Sequence, residues 1–395
     1  MNWSDFNTVD YCLMGALALL FVVQVCIYAI CLAAPARAIR GKKKHLHIDA
    51  PSTDELPGVS VVLCAHNESE NLANYLQSLL TQDYPTYEVI VVDDGSEDDT
   101  RAVIERYMTR DPRLHMTFVP YGARVGSTKK LALTLAAKAA QYDYLLLTDA
   151  DCRPESNQWI REMMKGFSNS TSIVLGFGAY FYNKGHLNRL VRFDTLFNGL
   201  HYLGAALCGH PYMGVGRNLA YRKDFFFESG GFTHLMANRA GDDDLFVNHV
   251  ANRENTAVVV SRDSIVWSPA KTTMREWWQQ KRRHLSVSPS YRRATQFRLT
   301  LEPLSRGLFY ALVLGIVIWQ AILNNFQLST FNLQLLIALG LFLTRWILQT
   351  AILNVSAKRM GLHRFNMFTV LWFDIALPLV NLLMLASPKR KTIKW

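Results

Sequence analysis

The sequence has no Cys-x-x-Cys pair, no His-Glu-x-x-His and no other zinc-type spacing among its 6 cysteines and 11 histidines. That absence argues against a structural zinc module and a zinc hydrolase site. There is also no GxxxxGK[ST] and no GxGxxG in the α/β-like region, which argues against a P-loop or Rossmann phosphate site. No Lys or Arg precedes the first apolar run. Its leader carries Asp5 and Asp10 instead, so it lacks the basic n-region of a secretory signal and reads as a retained anchor. Cys12, Cys26 and Cys31 fall in that run and Cys64, Cys152 and Cys208 beyond it, with reduced thiols the default for a cytosolic domain. Half of the 395 residues are apolar, which excludes a disordered, collagenous or small disulfide-stapled chain and predicts two or three structural units.

The net charge of +10 is unevenly placed. Residues 58–270 hold 20 Lys and Arg against 24 Asp and Glu, whereas 271–306 hold nine basic and two acidic residues. Further basic residues (Arg37, Arg40, Lys42, Lys43, Lys44, Lys389, Arg390, Lys391 and Lys394) flank the apolar stretches. Positive charge bordering hydrophobic runs is a membrane-protein pattern, because juxtamembrane Lys and Arg stay cytoplasmic and meet anionic lipid. A nucleic-acid binder places its basic residues in the folded domain, so nucleic acid is not expected as a partner.

Tyr11 to Ala34 carries no charge and is long enough to cross a hydrocarbon core. Three more apolar runs occupy about Gly307–Leu323, Leu333–Asn354 and Met367–Ala386. The loop from Asn324 to Asn332 lacks Lys and Arg and should face outside, while the loop with Lys358, Arg359 and Arg364 should face inside. Asp374 and Pro378 in the last run leave two readings. Either the run spans and puts the tail outside, or it lies at the interface or re-enters and keeps the tail cytoplasmic; the second is slightly favoured. Arg345 is an intramembrane charge, readable as functional or as simply buried against a neighbouring helix. The expected organisation is an anchor at 1–35, a basic linker at 36–57, a cytoplasmic domain at 58–270, an amphipathic interfacial segment at 271–306, membrane helices at 307–388 and a basic tail at 389–395.

Within 58–270, apolar strands alternate with helical patterns: Val59–Ala65, Tyr87–Val92, His115–Val119 and Tyr144–Leu147, with helices near Asn71–Leu80, Asp98–Met108 and Lys129–Ala140. This predicts an α/β fold on a central, mostly parallel sheet, with ligands beyond the carboxyl ends of the strands. Asn67 and Glu68, Asp93 and Asp94, and Asp149 and Asp151 fall there. Asp149-Ala150-Asp151 read as extended aims both carboxylates one way, suiting Mg²⁺ or Mn²⁺ shared with a diphosphate. Gly241-Asp242-Asp243-Asp244 precedes a helical pattern. Its acids either raise one another's pKa towards that of a general base or merely decorate a helix N-terminus. Trp277 and Trp278 beside Lys281, Arg282 and Arg283 fit a helix lying on the lipid interface, or a cation patch for a leaving diphosphate.

In order, VSVVLCAHNESENL, VIVVDDGSEDDT, DAD, GVGRNLAY, GDDDL and QQKRR resemble a membrane-anchored family 2 glycosyltransferase of the GT-A fold, over roughly residues 58–300. The resemblance implies an inverting, metal-dependent transfer of a hexosyl or N-acetylhexosaminyl group from a nucleotide sugar to a lipid or lipid-linked acceptor, in a plasma or inner membrane of the cell envelope. It implies that Ala65, Glu68, Asp93 and Asp94 line the nucleotide site with Lys129 nearby. Asp149 and Asp151 match the metal-binding DxD, with Asp151 the direct ligand. Asp243 maps to the base, with Asp242 beside it. Gln279 and Arg282 resemble the Gln-x-x-Arg-Trp motif of cellulose, chitin and hyaluronan synthases, but Arg283 stands where those have Trp. That departure weakens a processive polysaccharide synthase, the main alternative; an inactive GT-A scaffold is a third.

Overall fold

The computed structural model describes residues 8–42, 56–120, 122, 127–236, 241–323 and 333–386. The loop 324–332, the tail 389–395, Lys43, Lys44 and Gly126 lie outside the described residues.

The chain opens with α1 (Thr8–Ile27), a π-helical turn (Tyr28–Leu32) and α2 (Ala34–Lys42). Four parallel strands follow: β1 (Val59–Ala65), β2 (Tyr87–Asp93), β3 (Leu114–Phe118) and β4 (Tyr144–Leu147). They are joined in turn by α3 (Ser69–Leu80), α4 (Thr100–Met108) and α5 (Thr128–Ala139). β1 and β2 are buried on both faces, which is why they read as unbroken apolar runs rather than as alternations. Next come β5 (Arg153–Pro154), α6 (Trp159–Met164), β6 (Ile173–Leu175), β7 (Gly178–Tyr180), α7 (His186–Leu207), β8 (Leu219–Arg222) and α8 (Lys223–Glu228). α9 (Asp244–Val250), β9 (Thr256–Val258), β10 (Val266–Ser268) and α10 (Met274–Leu285) complete this part.

The main sheet runs β3-β2-β1-β4-β8-β6-β9, with β8 antiparallel to both neighbours. The first four strands match the expected parallel sheet; the antiparallel β8 and the small β5-β10-β7 sheet beside it were not anticipated. In-register pairing sets Ala65 level with Asp93, and Val62 level with Leu147. The acids that follow β2 and β4 therefore emerge on one edge, beside the residues after β1.

Three long helices close the chain: α11 (Arg293–Leu323), α12 (Leu333–Arg359) and α13 (Met367–Ala386). Together with the first helix they are four helices long and apolar enough to cross a membrane. α11 starts at Arg293, well before the apolar run at Gly307, and passes through Pro303 without ending. α13 is likewise one helix through Pro378, which removes the structural ground for a re-entrant break. Arg345, only 1% exposed, is a structural group: it pairs with Asp374 at 2.8 Å and donates to Gln24 Oε1 at 3.0 Å. Arg306 takes the other Asp374 oxygen at 2.6 Å, and Tyr310 donates to Asp374 at 2.5 Å. α1, α11, α12 and α13 are thus tied by one buried network that no lipid could satisfy.

α7 joins the two parts. A Cβ on Gly204 would stand 2.2 Å from the Cys31 carbonyl oxygen, so only glycine lets α7 lie against the π-helical turn. On α10, Trp277 is 3% exposed and packs in the main core, with Lys281 over its ring. That indole faces protein instead of lipid, and Trp278 is partly buried on the same core.

Candidate active site

The edge of the sheet gathers the candidate residues from β1 and β2 first. Ala65 is buried and contributes its backbone, whose carbonyl accepts the Asp94 N–H at 2.8 Å. Asp93 Oδ1 accepts the Ser96 N–H at 2.9 Å and so holds the turn after β2. Asp94 sits beside it with burial pushing its carboxyl up, partly offset by a hydrogen bond from Thr128. Glu68 accepts from Asn71 at 2.5 Å; burial raises its carboxyl too, and Asp151 and Asp149 add to that.

Asp149 and Asp151 follow β4 in a turn, closed by Cys152 N–H to Asp149 O at 3.1 Å, and not in the extended segment expected. The turn still converges the side chains: donor atoms of Asp149, Asp151 and Cys152 lie within 4.8 Å of one another. Cys152, which belongs to no recognisable motif, donates to Asp151 Oδ1 at 3.3 Å. Burial and then the charge of Asp149 raise the Asp151 carboxyl, a strain that a bound cation relieves.

Lys129 is the hub. Ser127 caps α5 and starts the helix so that Lys129 Nζ reaches Asp149 at 3.1 Å and Asp242 at 3.2 Å. Burial disfavours its charge, but Asp149 and Asp242 outweigh that and hold it protonated.

The three acids after Gly241 have separate environments. Gly241 turns the chain at φ +87, where any side chain is strained. Asp243 is the N-cap of α9: its Oδ1 accepts the Asp244 N–H at 2.8 Å and its Oδ2 the Gly216 N–H at 2.7 Å. Burial and Asp242 raise its carboxyl. Asp244 accepts the Tyr291 hydroxyl at 2.8 Å, and burial with the Asp243 charge pushes its carboxyl up to about 7. Asp242 faces Lys129. Burial opposes its charge, yet the ammonium wins and holds it below the usual carboxylate range. Both readings of this motif therefore apply, each to a different residue.

The strongest cation near the DxD was missed. Arg217, in the GVGRNLAY segment, donates to Ser268 Oγ at 2.6 Å and Gly178 O at 3.2 Å, and stands 4.4 Å from the Tyr180 ring centroid. It remains charged despite burial and acts on Asp151. Its segment, GVGRNLAY, is among those that carry the resemblance, but nothing in it singles out the Arg. α10 reaches the site through Gln280, which donates to Tyr180 at 3.1 Å, and His284. His284 is exposed on α10, with Arg283 and Arg217 among the charges that act on it. Lys281 is drawn the other way, into a 2.6 Å pair with Asp194 of α7. Gln279 is exposed and Arg282 half-buried, on the side of α10 away from Trp277.

A 3-2-1-4 strand order with acids beyond β2 and β4 and a cation between DxD and a second acidic cluster defines the GT-A class of glycosyltransferase. The chain belongs to glycosyl transferase family 21, whose model matches residues 16–395. A poly-beta-1,6-N-acetyl-D-glucosamine synthase of Staphylococcus epidermidis is 33% identical over 97 residues, 25% of this chain and 22% of that protein. Glycosyltransferase AglE of Haloferax volcanii is 27% identical over 148 residues, 37% of this chain and 47% of that protein. The chain thus spans less than half the length of these curated relatives. The mannosyltransferase PcManGT from Pyrobaculum calidifontis, solved with GDP-Man and Mn²⁺, superposes with a TM-score of 0.51 at 18% identity, over 87% of this chain and 99% of that one. That likeness shows the fold.

Proposed function

We propose that the enzyme transfers a sugar from a nucleotide-sugar donor to a membrane lipid or lipid-linked acceptor, with inversion, at the cytoplasmic face of the membrane. The observation that carries the reading is the placement of Lys129 between Asp149 and Asp242. It joins a diphosphate-metal motif to a candidate base in one site.

Asp94 and Glu68 line the nucleotide end. Asp151 and Asp149 fit a divalent cation, Mg²⁺ or Mn²⁺, with Cys152 next to them, and the cation supplies charge for the departing diphosphate. PcManGT, solved with GDP-Man and Mn²⁺, supports that donor class. Arg217 and Lys129 neutralise further charge on the leaving group.

The base is best assigned to Asp242 instead of Asp243. Both oxygens of Asp243 are committed to backbone N–H groups, which suits a residue that positions its neighbour. Asp242 is ionised beside Lys129, facing the DxD, and takes the acceptor hydroxyl proton as the oxygen attacks the anomeric carbon. A buried network around Arg345 and Asp374 ties the four helices together across the bundle, which favours single transfer over polymer export. The basic residues Arg37, Arg40, Lys358, Arg359 and Arg364 support a cytoplasmic catalytic domain.

Label from a nucleotide sugar moving into the lipid phase, in purified full-length protein with Mn²⁺, tests the reading. A ladder of products from one donor would replace it with a polymer synthase.

A further inference from the structure

Two consecutive residues, Tyr291 and Arg292, end the loop after α10 and lead straight into α11. Both are bonded to α9, the seven-residue helix that follows the acidic motif. The Tyr291 hydroxyl donates to Asp244 Oδ2 at 2.8 Å, and the Arg292 N–H donates to Asn248 Oδ1 at 2.9 Å. Asn248 in turn donates to Tyr212 O at 2.9 Å, and the Arg292 guanidinium reaches the His249 carbonyl. Tyr291, Asp244 and Asn248 are all buried, so solvent does not substitute for these bonds. The same loop roofs the start of the motif: a Cβ on Gly241 would come within 3.0 Å of Val287.

A helix of seven residues does not hold its own direction; what it is tied to sets that direction. The motif ahead of it crowds three carboxylates into consecutive positions, and each has its own partner. Asp242 has Lys129, and Asp243 has two backbone N–H groups. Asp244 has the Leu245 N–H at 2.7 Å on one oxygen and the Tyr291 hydroxyl on the other. Without that hydroxyl the second oxygen loses its donor in a buried place, a costly state. Asp244 and Asp242 both act on Lys130, the neighbour of Lys129 on α5. A carboxylate released from Tyr291 therefore competes for cationic charge that supports Asp242.

Building on the assignment of Asp242 as base, we propose that Tyr291 is a positioning residue for the reaction: by holding Asp244 it fixes the turn that presents Asp242, and it registers that turn to the membrane helix α11. α11 is itself locked to α13 by the 2.6 Å pair of Arg306 with Asp374. The base is thus set from the helix bundle as well as from the sheet.

Full-length protein in membrane vesicles with Mn²⁺, given the best donor of a panel of UDP- and GDP-sugars, tests this. Tyr291→Phe removes one hydroxyl and keeps the ring. It should lower kcat about tenfold, the loss expected when one hydrogen bond to a carboxylate stops shaping the site. The donor KM, and the thermal shift given by nucleoside diphosphate, should stay at parent values. In an Asp244→Ala background the same substitution should cost about twofold or less, because Tyr291 acts through Asp244. Parent-level kcat in folded Tyr291→Phe, a loss carried by KM, or equal losses in the two backgrounds overturns the proposal. Asp242→Asn, run alongside, tells two failures apart. If it is inactive while Tyr291→Phe is unimpaired, the positioning role alone falls. If it turns over like the parent, the base assignment falls and takes this proposal with it. Should Tyr291→Phe fail to fold, Asp244→Ala alone is held to the same kcat and KM criteria.

Discussion

Lys129 Nζ lies 3.2 Å from Asp242 Oδ2, and this ion pair connects the first turn of α5 to the turn before α9. The two residues are 113 positions apart in the chain, and neither motif alone points to the other. Asp242 is a carboxylate whose charge Lys129 supports more than any other group.

Asp242→Asn should lower turnover about a hundredfold or more while leaving nucleotide binding intact, the loss expected of a missing general base. Asp243→Asn should lower thermal stability more than it lowers the rate of the remaining folded enzyme: asparagine still caps α9, but one of the two backbone N–H groups held by the carboxylate loses its acceptor, at a cost of about 1–3 kcal/mol. Steady-state rates and melting curves on both variants separate the roles.

Lys129→Met should move the acidic limb of the pH–rate profile upward. Burial pushes the Asp242 carboxyl up and Lys129 pulls it down most, so removing that ammonium leaves burial opposed only by a backbone hydrogen bond and the more distant Lys130. Asp242 then ionises at a higher pH, and activity is lost earlier on acidification. An acidic limb that stays in place would exclude Asp242 as the group it reports.

Asp244 gives a stability signature. Burial and Asp243 raise its folded pKa from 3.8 to about 7. Between those values the folded state binds more protons than the unfolded one, so this residue's contribution falls as pH rises through the window and is lost above it. The melting temperature of Asp244→Asn relative to the parent should therefore rise between pH 4 and pH 7, a window set by the same two pKa values.

Asp374→Asn should be among the most damaging changes outside the catalytic domain. It leaves Arg306 and Arg345 without their shared carboxylate, and breaking a buried pair costs about 3–5 kcal/mol. Melting in detergent reads this directly. A variant as stable as the parent would show that water or lipid reaches the network.

Local pattern made the four parallel strands legible, because apolar β-branched runs ending in acids are a short-range signal. β1 and β4 were bounded correctly from sequence, and α13 as well. The antiparallel β8 was not, since Leu219–Arg222 is too short to declare a direction. DxD was found for a partly wrong reason: the carboxylates converge through a turn and not through an extended segment. The base register was ambiguous because three adjacent aspartates differ only in what they meet in space. Arg217 stood only as one letter of GVGRNLAY, for its role lies in an aromatic ring and a carboxylate distant in the chain. Trp277 looked interfacial because amphipathic composition does not say whether the covering surface is lipid or protein.

The most direct measurement is transfer of labelled sugar from a nucleotide sugar into the lipid phase by the full-length protein in membrane vesicles with Mn²⁺, alongside Asp151→Ala and Asp242→Asn. The account predicts label in lipid and free nucleoside diphosphate for the parent, and neither for the two variants. Parent-level transfer by Asp242→Asn, or transfer that ignores both substitutions, would contradict it.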